Sequence, residues 1–180
     1  MNSYYEKFID GREVCIDDEL SFEIPDNWMW ARFGSLVVNR DSERKPLSSN
    51  TRNNLKKIYD YYGASGVIDK VPDFLFDKRL LLIGEDGANL LNRSTPIAFF
   101  AEGKYWVNNH AHVLDATQSG NLDYVALYIN AIPLVPYVTG TAQPKMNQAN
   151  MNSILIAVPP CNEQIRILNK FWKIVLKVLS

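Results

Sequence analysis

Apolar positions along this chain come in short runs broken by turn-forming residues, and the last third changes to helical spacing. Phe8-Ile9 and Val14-Cys15-Ile16 flank Asp10-Gly11. That pattern predicts a hairpin, because glycine tolerates the positive φ of a tight turn. Ile24-Pro25 begins an extended segment in which proline fixes φ, and Trp28, Trp30, Phe33 and Leu36 follow as its expected anchors on a core. Residues 39–57 are polar and basic and read as a long surface loop, closing with one helical turn before Ile58. Short runs then recur at 58–62 before Gly63, at 67–68 after Gly66, and at 80–83 before Gly84. Ile97–Ala101 and Tyr105–Val107 flank Glu102-Gly103-Lys104 in the manner of a second hairpin. This spacing predicts a mostly antiparallel β core.

From Leu122 onward, Val125, Ala126, Ile129 and Ile132 recur at helical intervals until Pro133 and Pro136 stop the run. Ile154–Val158 ends at Pro159-Pro160, and a last helix starts near Asn162. It carries two apolar seams, Ile165, Leu168, Trp172, Val175 and Leu179 on one and Ile167, Phe171, Ile174 and Val178 on the other. A surface helix needs one stripe, so two seams predict burial between neighbours, and the first is the expected partner-helix interface. The helix reaches Ser180 without a Gly or Asn cap, as expected of a longer coiled-coil element cut short. The fold class expected is α+β: a mostly antiparallel β core with a few helices, plus a C-terminal helix that would pair in a coiled coil. Residues 1–160 would form the globular domain and 161–180 the start of the dimerisation helix.

Composition adds limits. With 180 residues, 47% hydrophobic and 12% aromatic, the chain can bury a core as one domain with an appended element. No signal peptide is legible, and no apolar stretch approaches the roughly 20 residues of a membrane span. Cys15 and Cys161 stand far apart without metal-ligand spacing, which suggests reduced thiols and a cytoplasmic location. The formal net charge is −1, low for a protein that grips nucleic acid unaided. The charge is uneven, however: residues 1–27 sum to −6, residues 39–57 to +4 and the last 42 residues to +4. Two basic patches suit either a DNA binder working beside partners or ordinary solvated surface.

Catalytic patterns are sparse. Pro72-Asp73 followed by Glu102-Gly103-Lys104 has the spacing of a metal-dependent PD-(D/E)xK nuclease, in which Asp73 and Glu102 would hold the ion and Lys104 assist water. That pattern arises often by chance, and here it falls on a predicted turn. His110 and His112 form His-x-His without a further ligand to complete a zinc site, and a strand end with polar residues outward is the simpler reading. There is no G-x-S-x-G, no P-loop and no G-x-G-x-x-G. The acidic Gly84–Asn89 segment reads as a turn. Catalytic and metal-binding residues are therefore expected to be none. By contrast, residues 140–152 hold five Asn or Gln and one Lys. Amides pair with adenine and arginine with guanine in the major groove, whereas Lys serves phosphates. The same amides could equally cap a turn-rich connection.

Several stretches, in order, resemble the specificity subunits of type I restriction-modification systems over nearly the whole chain. They are Ile24-Pro25 with Trp28 and Trp30, Tyr62–Ile68, Leu82–Asn89, Trp106–Leu114, Gly140–Asn147, and Val158-Pro159-Pro160 leading through Glu163-Gln164 into a helix. Such subunits resemble two tandem repeats, each a target-recognition domain followed by a spacer helix, with the two helices paired antiparallel. The resemblance implies one recognition domain over 1–160 and the start of its spacer helix over 161–180. It implies reading of three or four base pairs of double-stranded DNA, with no cofactor bound by this chain. S-adenosylmethionine, ATP and Mg would belong to methyltransferase and restriction subunits. A second recognition repeat or a homodimer through the last helix would complete the unit. The family motif transfers no contact residues. On physical grounds the DNA-binding candidates are Arg40, Arg44, Lys45, Arg52, Lys70, Gln143, Lys145 and Asn147. A nuclease, a homodimerising interaction module, and a recognition domain of a single-chain restriction-methylation enzyme are the other readings.

Overall fold

Most apolar runs of the sequence become strands or helices in the computed structural model, which describes residues 3–118 and 120–179. Around Asp10-Gly11, β1 (Tyr5–Lys7) pairs antiparallel with β2 (Glu13–Cys15), and Gly11 takes φ +85° in the turn. Next, β3 (Met29–Arg32) runs through α1 (Phe33–Leu36), which buries Phe33, into β4 (Val37–Asn39). Trp28 and Trp30 are half-buried as anchors, and Phe22 packs on Trp30 at 5.1 Å. The polar stretch is less irregular than its composition suggests. It holds a 3-10 turn over Asp41–Glu43 and a short α2 (Ser49–Asn53), whose first turn is capped by the Ser48 hydroxyl.

The hairpin of β5 (Tyr59–Gly63) and β6 (Gly66–Val71) follows, then β7 (Phe76–Asp77), β8 (Leu80–Gly84) and α3 (Asn89–Asn92). Then come β9 (Ala98–Ala101), β10 (Lys104–Val107), β11 (Ala111–Ala116) and α4 (Leu122–Ala131), in which Asn121 caps the amides of Asp123 and Tyr124. The chain closes with α5 (Gln148–Ser153), β12 (Leu155–Val158) and α6 (Cys161–Leu179). This is an α+β fold. One sheet runs β6-β5-β10-β7 and the other β4-β11-β8-β9, while β12 pairs with β3.

All five residues of β8 are buried, which explains its unbroken apolar run. Alternation sends Leu80 and Leu82 toward Phe76, Tyr105 and Val113 between the two sheets. Leu81 and Ile83 point the other way, into a larger core built with Phe33, Leu114, Val125, Ile129 and Ile156 beneath α4. One expectation needs correction. The segments around Gly103 do not form a hairpin: β9 pairs with β8 and β10 with β5 and β7, so the turn, with Gly103 at φ +72°, carries the chain between sheets. The core also contains a parallel pair, β5 with β10, among its antiparallel ladders.

On α6 the apolar residues cover one arc of roughly 200° at 100° per residue. Its centre faces the domain, where Leu168 and Ile167 pack on the larger core and Gln164 is buried. Leu168, Phe171, Trp172 and Val175 also line a groove of about 630 Å³ against α4 and β9. The expected partner seam is therefore divided. Ile165 and Trp172 are exposed, Leu168 and Val175 are half-buried toward the domain, and the Leu179 side chain lies outside the described residues. No helix among the described residues is long and apolar enough to cross a membrane.

Candidate nucleic-acid interface

Loops from distant parts of the sequence meet at one place. They are residues 40–48, the β5–β6 turn, residues 84–89, residues 108–110 and residues 139–147. Main-chain bonds join them: Lys45 N donates to Val107 O, Glu85 N to His110 O, Gly87 N to Pro144 O, Met146 N to Glu85 O and Asn108 N to Tyr62 O. The fit is close at Gly84, where a Cβ would lie 2.7 Å from Ala64 O. That contact requires glycine there. The Trp106 indole adds a bond to Lys45 O at 2.6 Å.

Beneath these loops lies a cluster of charged side chains. Arg44 is only 13% exposed; its guanidinium donates to Glu85 at 2.7 Å and to Ala111 O at 2.7 Å, and approaches Asp41 at 3.3 Å. Lys145 reaches Glu85 from the solvent side at 3.0 Å and remains 51% exposed. His112, buried in β11, contacts Asp41 Oδ2 through Nδ1 at 2.6 Å and Met146 O through Nε2 at 2.9 Å. A carbonyl accepts only, so Nε2 donates to Met146 O while Nδ1 lies against the Asp41 carboxylate. Burial opposes ionisation of Asp41, but the His112 hydrogen bond and charge and the Val113 amide outweigh it and hold the carboxyl below its ordinary value. Glu85 is likewise held low, its burial overcome by Arg44, Lys145 and the charge of His112.

Ligand atoms of Asp41, Glu85 and His112 come within 4.8 Å of one another, close enough to suggest a metal site. The Arg44 guanidinium already lies between the two carboxylates and Lys145 pairs with Glu85, so two cationic side chains balance the pair and these donors suit a structural ion network better than a metal ion. The simpler reading of His-x-His is corrected in one respect. His112 points inward and is buried, while exposed His110 bonds Asp86 at 2.8 Å.

The candidate DNA-binding residues sort into groups. Arg44, Lys45, Lys145 and Asn147 come together at the loop cluster, but Arg44 faces inward and Asn147 caps α5 by accepting from Asn150 N. Lys45 is exposed and has no ion-pair partner among the described residues, and Gln143 is exposed at the tip of its loop. Arg52 is held by Asp69 and Leu47 O and lies over the Tyr61 ring, while Lys70 pairs with Asp60. Arg40, at the start of the same loop, is engaged by Glu43 and Asp115. The nuclease set is not assembled: Glu102 pairs with Arg79, Lys104 lies over the Phe74 ring, and Asp73 accepts from its neighbour Phe74 N. Reasoning from sequence missed Asp41, Glu85 and Asn108; the only prior hint was the His-x-His pair, one member of which needed an inward partner.

The family described as Type I restriction modification DNA specificity domain matches residues 25–176. The chain belongs to that family. This specificity domain is 28% identical over 167 residues to a protein of Haemophilus influenzae named as a type I restriction enzyme specificity subunit, an alignment covering 92% of this chain and 38% of that one. It is 28% identical over 117 residues to the EcoprrI specificity subunit of Escherichia coli, covering 63% of this chain and 28% of that one. Among solved structures, an S subunit from M. genitalium superposes with TM-score 0.64 at 14% identity, over 83% of this chain and 40% of that one. The HsdS subunit from Thermoanaerobacter tengcongensis gives 0.57 at 16% identity, over 88% and 40%. These likenesses establish a shared fold. The specificity domain spans well under half the length of its relatives.

Proposed function

We propose that this specificity domain reads one half of a bipartite DNA target within a type I restriction-modification assembly. The observation that carries the reading is the set of loops fixed against one another by the Asp41–Arg44–Glu85–His112–Lys145 network, with Lys45, Gln143 and Lys145 left exposed. A surface held in place before binding loses less entropy when it docks. Lys45 would meet phosphates and Gln143 a base edge; Arg40, Lys70 and Lys145, whose charges are already paired, would contribute less, and Arg44, Arg52 and Asn147 would act by holding the loops. Because so many basic groups are paired internally, the domain alone would bind weakly and depend on methyltransferase subunits to clamp the duplex.

Adenine methylation with S-adenosylmethionine, and ATP- and Mg-dependent restriction, would belong to those methyltransferase and restriction subunits, in the cytoplasm. The exposed flank of α6 at Ile165 and Trp172 would meet a second spacer helix, from a homodimer or a second repeat. The test is selection from a randomised duplex pool by the full chain assembled with its methyltransferase subunits. Enrichment of a motif of about three or four base pairs is expected, and enrichment of none would overturn the reading.

A further inference from the structure

The β5–β6 turn, residues 86–89 and residues 108–110 enclose a pocket of about 340 Å³, lined by Gly63, Ser65, Ile68, Asp86, Asn108 and His110 among others. Asn108 is 3% exposed and accepts the His110 amide N–H through Oδ1 at 2.8 Å. That bond fixes which end of the amide is oxygen, since a backbone N–H needs an acceptor. Nδ2 therefore faces the other way, 3.5 Å from where a Cβ on Gly63 would sit, and has no hydrogen-bond partner among the described residues. The donor is not sealed away, since Trp30 Nε1 is the one buried side-chain polar atom without a partner among the described residues; Nδ2 instead opens on the pocket, where a ligand's acceptor can take the place of water.

We propose that this pocket receives the edge of a DNA base, and that Asn108 Nδ2 selects a base presenting an acceptor there. This rests on the DNA-reading function above. Phosphate is disfavoured because no Lys or Arg lines the pocket while the Asp86 carboxylate does. With Oδ1 already engaged by His110, the amide offers donors and little acceptor capacity. That favours guanine O6 or N7, or thymine O4, over the two-way pairing an amide makes with adenine. Gly63 keeps the donor uncovered, because any side chain there would project toward Ile68 and Asn108.

The experiment is selection from a randomised duplex pool by the full chain assembled with its methyltransferase subunits, wild type and with Asn108→Ala, Asn108→Asp or Gly63→Ala, followed by titration of the selected site at several salt concentrations. Asn108→Asp keeps the acceptor for His110 N–H and exchanges the donor for an acceptor. It should move the preference at one base pair toward a donor-bearing base. Asn108→Ala should lose roughly tenfold affinity for the selected site and relax that same position, with the salt slope unchanged. If Asn108→Ala does not fold, Gly63→Ala, which fills the pocket without touching the turn bond, should relax that position instead. If the wild-type chain selects a motif and the folded variants select it with equal affinity, the inference is overturned. A uniform loss with a smaller salt slope would mean a phosphate contact and would overturn it too. A wild-type assembly that selects nothing would sink the DNA-reading function itself, a separate result.

Discussion

Replacing Glu85 by glutamine removes one charge from the network while keeping its shape. Arg44 then retains only Asp41, at 3.3 Å, as a counter-charge. At about 4 Å between charge centres and an effective dielectric of about 20, the lost attraction to Arg44 is about 4 kcal/mol. The half-exposed Lys145 contributes under about 1 kcal/mol more. Against this, the neutral amide no longer bears the desolvation cost of a buried carboxylate, which offsets about 2 kcal/mol. The net loss is about 2–3 kcal/mol, or a fall in Tm of roughly 4–12 °C for a chain of this size. Thermal unfolding followed by circular dichroism, with Glu102→Gln as control, measures it. Glu102 pairs with Arg79 in the open, and its loss should cost under about 1 kcal/mol. Equal shifts for the two variants would refute the view that the network holds the loops.

Four further outcomes are expected. Asp41 and Glu85 have native pKa values held below their ordinary ones, so their stabilisation is present above about pH 5 and fades as pH falls through the native values. The urea midpoint should therefore drop as pH falls below about 5, less steeply in Glu85→Gln. Lys45→Ala should leave stability unchanged and lower the slope of log K against log salt by about 0.9, whereas Arg52→Ala, which breaks the Asp69 pair, should lower the urea midpoint. Arg93 donates to the carbonyls of Ile129, Asn130 and Ile132 at the end of α4, from a left-handed φ of +51°. Arg93→Ala should cost about 2 kcal/mol in urea unfolding, and Arg93→Gly less because the backbone strain is relieved. Finally, Ile165→Gln with Trp172→Gln should abolish any concentration-dependent association seen by sedimentation, since both lie on the exposed flank of α6.

The elements were more legible in the sequence than their partners. An unbroken apolar run locates β8, and 3.6-residue spacing locates α4 and α6, because burial acts on each segment locally. Pairing is a long-range outcome: nothing in residues 102–104 distinguishes a hairpin from a turn that changes sheets, and only the packing of Tyr105 beside Phe76 and Tyr62 shows which occurs. The site was half legible. Lys45, Gln143 and Lys145 announced themselves by charge and amide chemistry on loops. Arg44 looked identical to Lys45 in sequence but faces inward, because Asp41, Glu85 and His112 lie 3, 41 and 68 residues away and meet it only in three dimensions. The reach of α6 was visible; which flank meets the domain depended on where α4 and β9 lie.

The pairing of β3 with β12 joins Met29 to Val158, across more than two-thirds of the chain. During synthesis β3 leaves the ribosome long before its partner exists, so its edge waits unpaired while the intervening sheets assemble. Loop closure over so many residues is entropically costly, and contacts of this range slow folding. Completion of the domain is thus timed to the emergence of residues 155–158, immediately ahead of α6. This last helix is made just as the body it packs against becomes whole, and the unpaired edge of β3 needs chaperone cover until then.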